Sequence, residues 1–459
     1  MRGLRSTIAF IVVLAGLSAY IYFVTSKKPA TGSEAGPTRE KVFAALEADK
    51  IDELRIKSES GETTAVKKNG ADWQVIEPAS LPADQSGVSG ITTSLAQVDV
   101  VRVVDENPAD LKDYGLSTPR IEVEFKATGD KDYRRLFIGD KSPTGADLFA
   151  KRNDEKRVFL IASFQEQSFN RTPFDLRDKT LVKFPRDKVD SLEIDAGGKT
   201  LQIAKQGSDW KITKPLQAVA DFGSVEGLIG RLQSARMQSN VTNEATPADL
   251  KKYGFEKPEI TLHLNAGSEK ATLLVGGKAD NNAVYVRDAS KPAVMTMESS
   301  LADDLRKNAD EYRRKDIFAF RAYTANRLEM TRNNQTVVFE KVKGTGTSAN
   351  DASSVNPQET WHRVSPNAGD VDKDKMAAFL AKLEGMRALS FVASTAKTGL
   401  NSPAMTVVAK FEEGKKEERV TFGKAGDSVY AARPGDPGAG KIDAADFNDA
   451  ISKLDELSK

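Results

Sequence analysis

Alternation is the first pattern along the chain. Leu54-Arg55-Ile56-Lys57 before Ser60-Gly61, and Leu192-Glu193-Ile194-Asp195 before Gly197-Gly198 and Leu201-Gln202-Ile203, place apolar side chains at every second position. That period belongs to half-buried antiparallel strands, with the glycines marking the turns of hairpins. A third strand carries tryptophan, as Asp72-Trp73-Gln74-Val75-Ile76-Glu77-Pro78 and again as Asp209-Trp210-Lys211-Ile212-Thr213-Lys214-Pro215. After the proline the period becomes helical. Val88, Ile91, Leu95 and Val98 form one set, Val225, Leu228 or Ile229 and Leu232 a second, and Met376, Phe379, Leu380 and Leu383 a third. Spacings of three and four share one helix face, so each set predicts an amphipathic helix covering a sheet.

These segments are copies of one repeat. Thr360-Trp361-His362-Arg363-Val364-Ser365-Pro366 is a third, looser Trp strand. Ala109-Asp110-Leu111-Lys112-Asp113-Tyr114-Gly115-Leu116 with Pro119 matches Ala248-Asp249-Leu250-Lys251-Lys252-Tyr253-Gly254-Phe255 with Pro258. The third copy keeps Thr398-Gly399-Leu400 and Pro403, and Phe422-Gly423 where the others have Ile138-Gly139 and Val275-Gly276. The tyrosine motif reads as a short helical turn. Asn107 or Thr246 is its expected N-cap, Pro108 or Pro247 its first residue, and Gly115 or Gly254 its left-handed end. Strands Ile121-Glu122-Val123-Glu124-Phe125 and Arg135-Leu136-Phe137-Ile138 follow, with counterparts at Ile260-Thr261-Leu262-His263-Leu264 and Thr272-Leu273-Leu274-Val275; a hairpin and a helix close the repeat.

The expected fold class is therefore α+β: three tandem homologous units after an N-terminal transmembrane helix, each an antiparallel sheet with helices on one face. The boundaries are a transmembrane anchor at 1–28, a linker at 29–39, and repeats at 40–183, 184–319 and 320–459. A Gly-, Ser- and Asn-rich insertion at 344–358 reads as a loop.

The anchor rests on residues 8–24, which carry no charge. Such a run is at the short end of what spans a bilayer core. Tyr20, Tyr22 and Phe23 suit the interfacial belt, and no small-x-small cleavage site follows before Lys27 and Lys28. A cleaved signal peptide is the alternative reading, and both place the bulk of the chain outside the cytoplasm. The expected location is the inner membrane, single-pass, with the C-terminal bulk in the periplasm.

Composition narrows the function. With 67 Lys and Arg against 66 Asp and Glu, the net charge of +1 gives no field for nucleic acid. No cysteine and only two histidines rule out thiol chemistry and leave little room for imidazole chemistry. Gly435-Asp436-Pro437-Gly438-Ala439-Gly440-Lys441-Ile442 imitates a phosphate-binding loop, but Ile442 stands where a Ser or Thr must hold magnesium, so a hairpin turn is expected. Asp370, Asp372 and Asp374 begin like a calcium loop and then fail at Lys375 and Ala381; they read as the acidic start of a helix. Gly344-Thr345-Gly346 lacks the third glycine of a dinucleotide fingerprint. His263 and His362 lie in different repeats without zinc spacing. Catalytic, cofactor-binding and metal residues are accordingly expected to be none, with no cofactor. Trp73, Trp210 and Trp361, at one position of each repeat, read as core anchors rather than sugar-stacking rings.

The anchor followed by Trp-x-(Val/Ile)-x-x-Pro, Leu-x-x-Tyr-Gly-(Leu/Phe) and Phe/Leu-(Ile/Val)-Gly resembles a bacterial family of membrane-anchored exported domains of unknown function. Members of that family look like envelope proteins encoded beside ABC-type transporters of the gliding-motility kind. The resemblance implies a non-enzymatic membrane-anchored periplasmic scaffold or auxiliary subunit of an envelope ABC-type transport complex. Its expected partners are the membrane and envelope proteins such as the transporter permease, not nucleic acid. A cell-wall or glycan-binding envelope protein is the alternative.

Overall fold

A computed structural model describes residues 40–343, 359–394 and 396–458. The expected anchor and linker, the 344–358 insertion and the Gly344-Thr345-Gly346 decoy lie outside the described residues. Among the described residues no helix is long and apolar enough to cross a membrane. The chain divides into two compact bodies at Lys179 and Thr180. The first holds one nine-stranded antiparallel sheet, and the second holds two more with the same strand order.

Sheet one comprises β1 (Ile51–Lys57), β2 (Thr63–Asn69), β3 (Asp72–Glu77), β4 (Leu81–Pro82), β5 (Arg102–Asp105), β6 (Ile121–Ala127), β7 (Arg134–Lys141), β8 (Asp147–Arg152) and β9 (Val158–Ala162). Its spatial order is β4-β3-β2-β1-β6-β7-β8-β9-β5. Two meanders thus leave a central β1–β6 pair in opposite directions, and helix α1 (Gln85–Gln97) carries the chain from one edge to the other. Sheet two repeats this with β10 (Val189–Ala196), β11 (Lys199–Gln206), β12 (Asp209–Lys214), β13 (Ala218–Val219), β14 (Ser239–Thr242), β15 (Ile260–Ala266), β16 (Glu269–Ala279), β17 (Ala283–Asp288) and β18 (Val294–Glu298). Sheet three has β19 (Ala325–Arg332), β20 (Gln335–Lys343), β21 (Glu359–Ser365), β22 (Gly369–Asp370), β23 (Ala388–Val392), β24 (Met405–Phe411), β25 (Lys416–Ala425), β26 (Ser428–Ala432) and β27 (Ala439–Ile442).

The period-two pattern determines which face is dry. In β6, Ile121, Val123, Phe125 and Ala127 are buried while Glu122, Glu124 and Lys126 face the other way. In α1, Val88, Ile91 and Leu95 join Leu54, Ile56, Val123 and Phe125 in one core. Burying each such side chain is worth about 1.5–3 kcal/mol. Helices α2 (Gln165–Phe169) and α3 (Pro173–Leu176) close repeat one and contribute Phe169 and Leu176 to the same core.

The crossing helices of repeats two and three follow the same rule. In α4 (Phe222–Ser234), Val225, Leu228, Ile229 and Leu232 are all buried. The tyrosine motif of repeat two forms α5 (Pro247–Lys252), and α6 (Ser299–Leu305) and α7 (Ala309–Tyr312) close that repeat. In repeat three, α8 (Lys373–Glu384) buries Met376, Phe379, Leu380 and Leu383, and one long α9 (Ala444–Ser458) replaces the closing pair. The break in repeats one and two has a local cause: Thr172 and Asn308 each form a capping box that starts a new helix, and Pro173 reinforces the first. The aspartates before the sheet-crossing helices are their caps. Asp84, Asp221 and Asp372 accept from backbone amides of the first turn, so Asp372 and Asp374 belong to helix initiation while Asp370 lies in β22.

The tyrosine turn needed one correction. Thr246 caps α5 in a capping box with Asp249, as expected. Asn107 caps nothing, because in repeat one Asp110 accepts instead from the Lys112 amide and only a 3-10 turn, Lys112–Tyr114, forms behind it. Gly115, Gly254 and Gly399 are left-handed, with φ of 64°, 88° and 71°. Each turn lies directly on a strand. A Cβ on Gly139 or Gly276 would be 2.1 Å from the carbonyl oxygen of Tyr114 or Tyr253, and one on Gly423 2.4 Å from that of Thr398. Only glycine permits backbones this close, which explains both glycines of the repeated pattern.

Chain entry and exit are also repeated. The segment leading into each repeat pairs with the residue after the crossing helix, as Lys41 with Asp99, Thr180 with Arg236 and Asp316 with Arg387. The exit segments of repeats one and two pair with the edge beyond β4 and β13, as Arg177 with Ala83 and Arg313 with Ala220.

Gly276→Ala should destabilise the protein by roughly 2 kcal/mol or more through this backbone clash. Gly227→Ala, on α4 where a Cβ meets nothing within 4 Å, should be neutral or stabilising by about 0.4–1 kcal/mol. Equal urea midpoints for the two variants would contradict the close-approach account.

Candidate functional site

Residues that recur in sequence are the first candidates, and the structure places them in packing roles. Trp73, Trp210 and Trp361 are 4%, 1% and 9% exposed. The Trp210 indole Nε1 donates to Glu226 Oε1 at 3.0 Å, across to α4. Opposite each ring on the neighbouring strand sits a lysine. Lys68, Lys205 and Lys341 are the register partners of Trp73, Trp210 and Trp361, with Nζ 5.2, 4.8 and 5.9 Å from the ring centroids. This threefold cation–π pair was written in the sequence, where each lysine lies on the second strand of its hairpin, but only strand register reveals it. A proline ends each tryptophan strand, and all three peptide bonds before it, at Pro78, Pro215 and Pro366, are cis.

The other sequence candidates do not converge. His263 is exposed on β15 with Nδ1 3.1 Å from Thr272 Oγ1. His362 lies on β21, its Nδ1 3.1 Å from Asp370 Oδ1. Among the described residues, no three His, Cys, Asp or Glu side chains are grouped to hold a metal ion. The phosphate-loop imitation is the turn between β26 and β27, with Gly440 and Lys441 inside β27.

A groove of about 820 Å³ lies in repeat two, between the β10–β11 hairpin, the β12–β13 connection and the α6–α7 junction. Ile194, Leu201, Leu216 and Leu305 form an apolar floor beneath a rim of Lys199, Lys214, Arg306 and Lys307. Three of these cations are engaged. Arg306 pairs with Glu259 at 2.8 Å and with Asp303 at 3.0 Å, Lys307 with Asp304 at 2.7 Å, and Lys214 with Glu193 at 3.6 Å. On α7, burial pushes the Tyr312 phenol up to about 12 while its hydroxyl donates to the Asp304 carbonyl at 2.9 Å. The groove offers apolar surface and positive charge, and the hydroxyl of its lining residue Thr200 donates to the Asp195 carboxylate.

In repeat one the corresponding residues line a smaller, charged concavity of about 580 Å³. Arg120 bridges Glu59 at 2.8 Å and Glu166 at 2.6 Å, Lys141 meets Glu166 at 2.8 Å, and the Glu59 amide donates to Asn170 Oδ1 at 3.0 Å. Burial alone would raise the Glu166 carboxyl, but hydrogen bonds from Lys141 and Arg120 outweigh it and hold the group below its usual value. Arg120 and Glu259 precede equivalent strands, so the two repeats tie strand to closing helix with the charges exchanged.

Fold and site together define a tandem α+β repeat protein whose recurrent residues serve packing and turn closure. Residues 73–211 and 210–403 each match the domain of unknown function DUF4340, and the chain belongs to that family. Both matched segments begin at a tryptophan strand, whereas the sheets begin two strands earlier, at Ile51 and Val189. No curated protein matches the chain. Two crystal structures of the DNA polymerase sliding clamp from Pseudomonas aeruginosa, one with ligand, align with 88% and 87% of this chain and 93% of the clamp. Their identities are 7% and 9% and each TM-score is 0.17, a level that carries no argument.

Because the Glu166 carboxyl sits below its unfolded value, its contribution is present above the ordinary carboxylate range and is lost as pH falls through the lowered value. Glu166→Gln should therefore weaken repeat one by about 1 kcal/mol at neutral pH, a cost that disappears well below pH of about 4. Hydrogen exchange of α2 and the β1–β2 turn in the full chain checks this; a pH-independent effect would contradict it.

Proposed function

We propose that the chain is a non-enzymatic scaffold or auxiliary subunit of an envelope ABC-type transport complex. Residues 1–28 act as a single inner-membrane anchor, and the repeats lie in the periplasm, where they bind protein partners. The observation that carries this reading is the use of the recurrent residues. A repeated catalytic or ligand site would leave some of them facing a cleft, but the tryptophans are buried and the tyrosine-glycine turns are pressed onto strands. What three such sheets supply is surface. The transporter association and the anchor are supported by the resemblance of the N-terminal run and motifs to exported family members. The glycan-binding alternative loses its carriers, since rings buried to this degree have no face for a sugar.

Mild crosslinking of native membranes, affinity purification of the full-length protein and mass spectrometry test the proposal. Recovery of an ABC-type permease or its ATPase is the expected result; repeated recovery of the protein alone, or with retained glycan, would sink it. Iodide should quench the tryptophan fluorescence of the folded protein far less than that of the urea-unfolded chain, and equal quenching would return the glycan reading to first place.

A further inference from the structure

Among the described residues, the third sheet has an open edge that the other two have closed. In repeat one, Pro82 to Asp84 is held between two chains: the Ala83 amide donates inward to the Trp73 carbonyl, while outward the Asp84 amide donates to Leu176 and the Asp178 amide to Pro82. Repeat two has the same ladder, with Ala220 donating to Trp210, Asp221 to Tyr312 and Arg314 to Val219. Ala83 and Ala220 are consequently 3% and 5% exposed. In repeat three the corresponding residues are Asp370, Val371 and Asp372, and the closing segment has become the continuous helix α9. Among the described residues, no backbone group pairs outward with the Asp370 carbonyl or the Asp372 amide. Val371 is half-buried, and the Asp370 side chain is 95% exposed.

We infer that this edge binds an extended, basic segment of a partner protein by strand addition. Two copies of the occupant are already visible inside the chain, Leu176-Arg177-Asp178-Lys179 and Tyr312-Arg313-Arg314-Lys315, each an apolar residue followed by Arg-x-Lys. An unpaired edge is a template for another strand: main-chain hydrogen bonds provide affinity and side chains provide selectivity. The open edge carries two carboxylates that its homologues lack, beside Lys373 and Lys375 of the helix that follows. Asp370 and Asp374 occupy positions held by Pro82 and Ser86 in repeat one and by Val219 and Gly223 in repeat two. With Arg313 opposite Ala220, antiparallel register sets the Arg314 position opposite the residue equivalent to Asp370. A basic residue there meets the carboxylate directly. The partner is thus a protein presenting a basic strand, which gives the scaffold reading a partner chemistry and rests on that reading only for its setting in the envelope.

The probe is a fluorescently labelled peptide of residues 311–317, titrated by anisotropy into the full chain in detergent micelles, with hydrogen exchange locating the contact. Saturable binding is expected, with protection centred on Val371 to Asp374. Affinity should fall by about tenfold in Asp370→Lys, by less in Asp370→Asn, and to nothing measurable for a peptide with Arg313, Arg314 and Lys315 replaced by Glu. Three results would overturn the inference: no saturation at millimolar protein, equal binding by the charge-inverted peptide, or protection confined to the groove beside Lys199. Self-association of the chain through this edge in sedimentation would overturn it as well, by making a second copy the occupant. None of these depends on recovering a transporter, so loss of the edge and loss of the scaffold reading are separable.

Discussion

The pairing of β1 with β6, repeated as β10 with β15 and β19 with β24, is the contact on which each repeat depends. Each of these strands starts one of the two meanders, and the hairpin register on either side counts outward from it. Loss of this pair would leave two small sheets, each with an open edge and with half of the apolar face on which the crossing helix lies. A register slip of one residue would turn Leu54, Ile56, Val123 and Phe125 to solvent and bring Glu122 and Glu124 into the core. The strict alternation of β6 and β15 is therefore the sequence's strongest specification of the fold.

Around that pair, the repeats have kept what backbone geometry demands and changed what charge can supply. The glycines of the tyrosine turn and of the strand beneath it survive in the third copy although the tyrosine itself became Thr398. The clash a Cβ would make is with main chain and has no side-chain remedy. Salt bridges have no such constraint. The tie between strand and closing helix is Arg120 to Glu166 in one repeat and Glu259 to Arg306 in the next, the same attraction with its signs exchanged. Partly exposed pairs of this kind contribute modestly to stability, which is why they drift.

Divergence at the closing helix has a larger consequence. Capping residues at Thr172 and Asn308 end one short helix and start another, which leaves the following residues extended and able to pair with the sheet edge. In repeat three α9 runs unbroken from Ala444 to Ser458, so no extended segment of the described residues follows to pair with that edge. A change of local helix signals thus decides whether a sheet is closed on itself or offers a strand position.

Sequence by itself determined the tandem organisation, the strand and helix periods, the left-handed glycines and the packing role of the tryptophans, because each is a local or periodic property that repetition made legible three times. It also supplied the family motifs and, in repeats one and two, the hairpin ahead of the tryptophan strand, although the family match itself begins at that strand. Tertiary structure alone decided the strand order, since antiparallel pairing joins residues as distant as Leu54 and Phe125. It placed Lys68, Lys205 and Lys341 over the tryptophan rings, left Asn107 without its expected capping role, and among the described residues left the edge at Asp370 open while closing its two homologues. The strand order and the state of each edge depend on which backbone groups find partners across the fold, and no short window along the chain contains both partners.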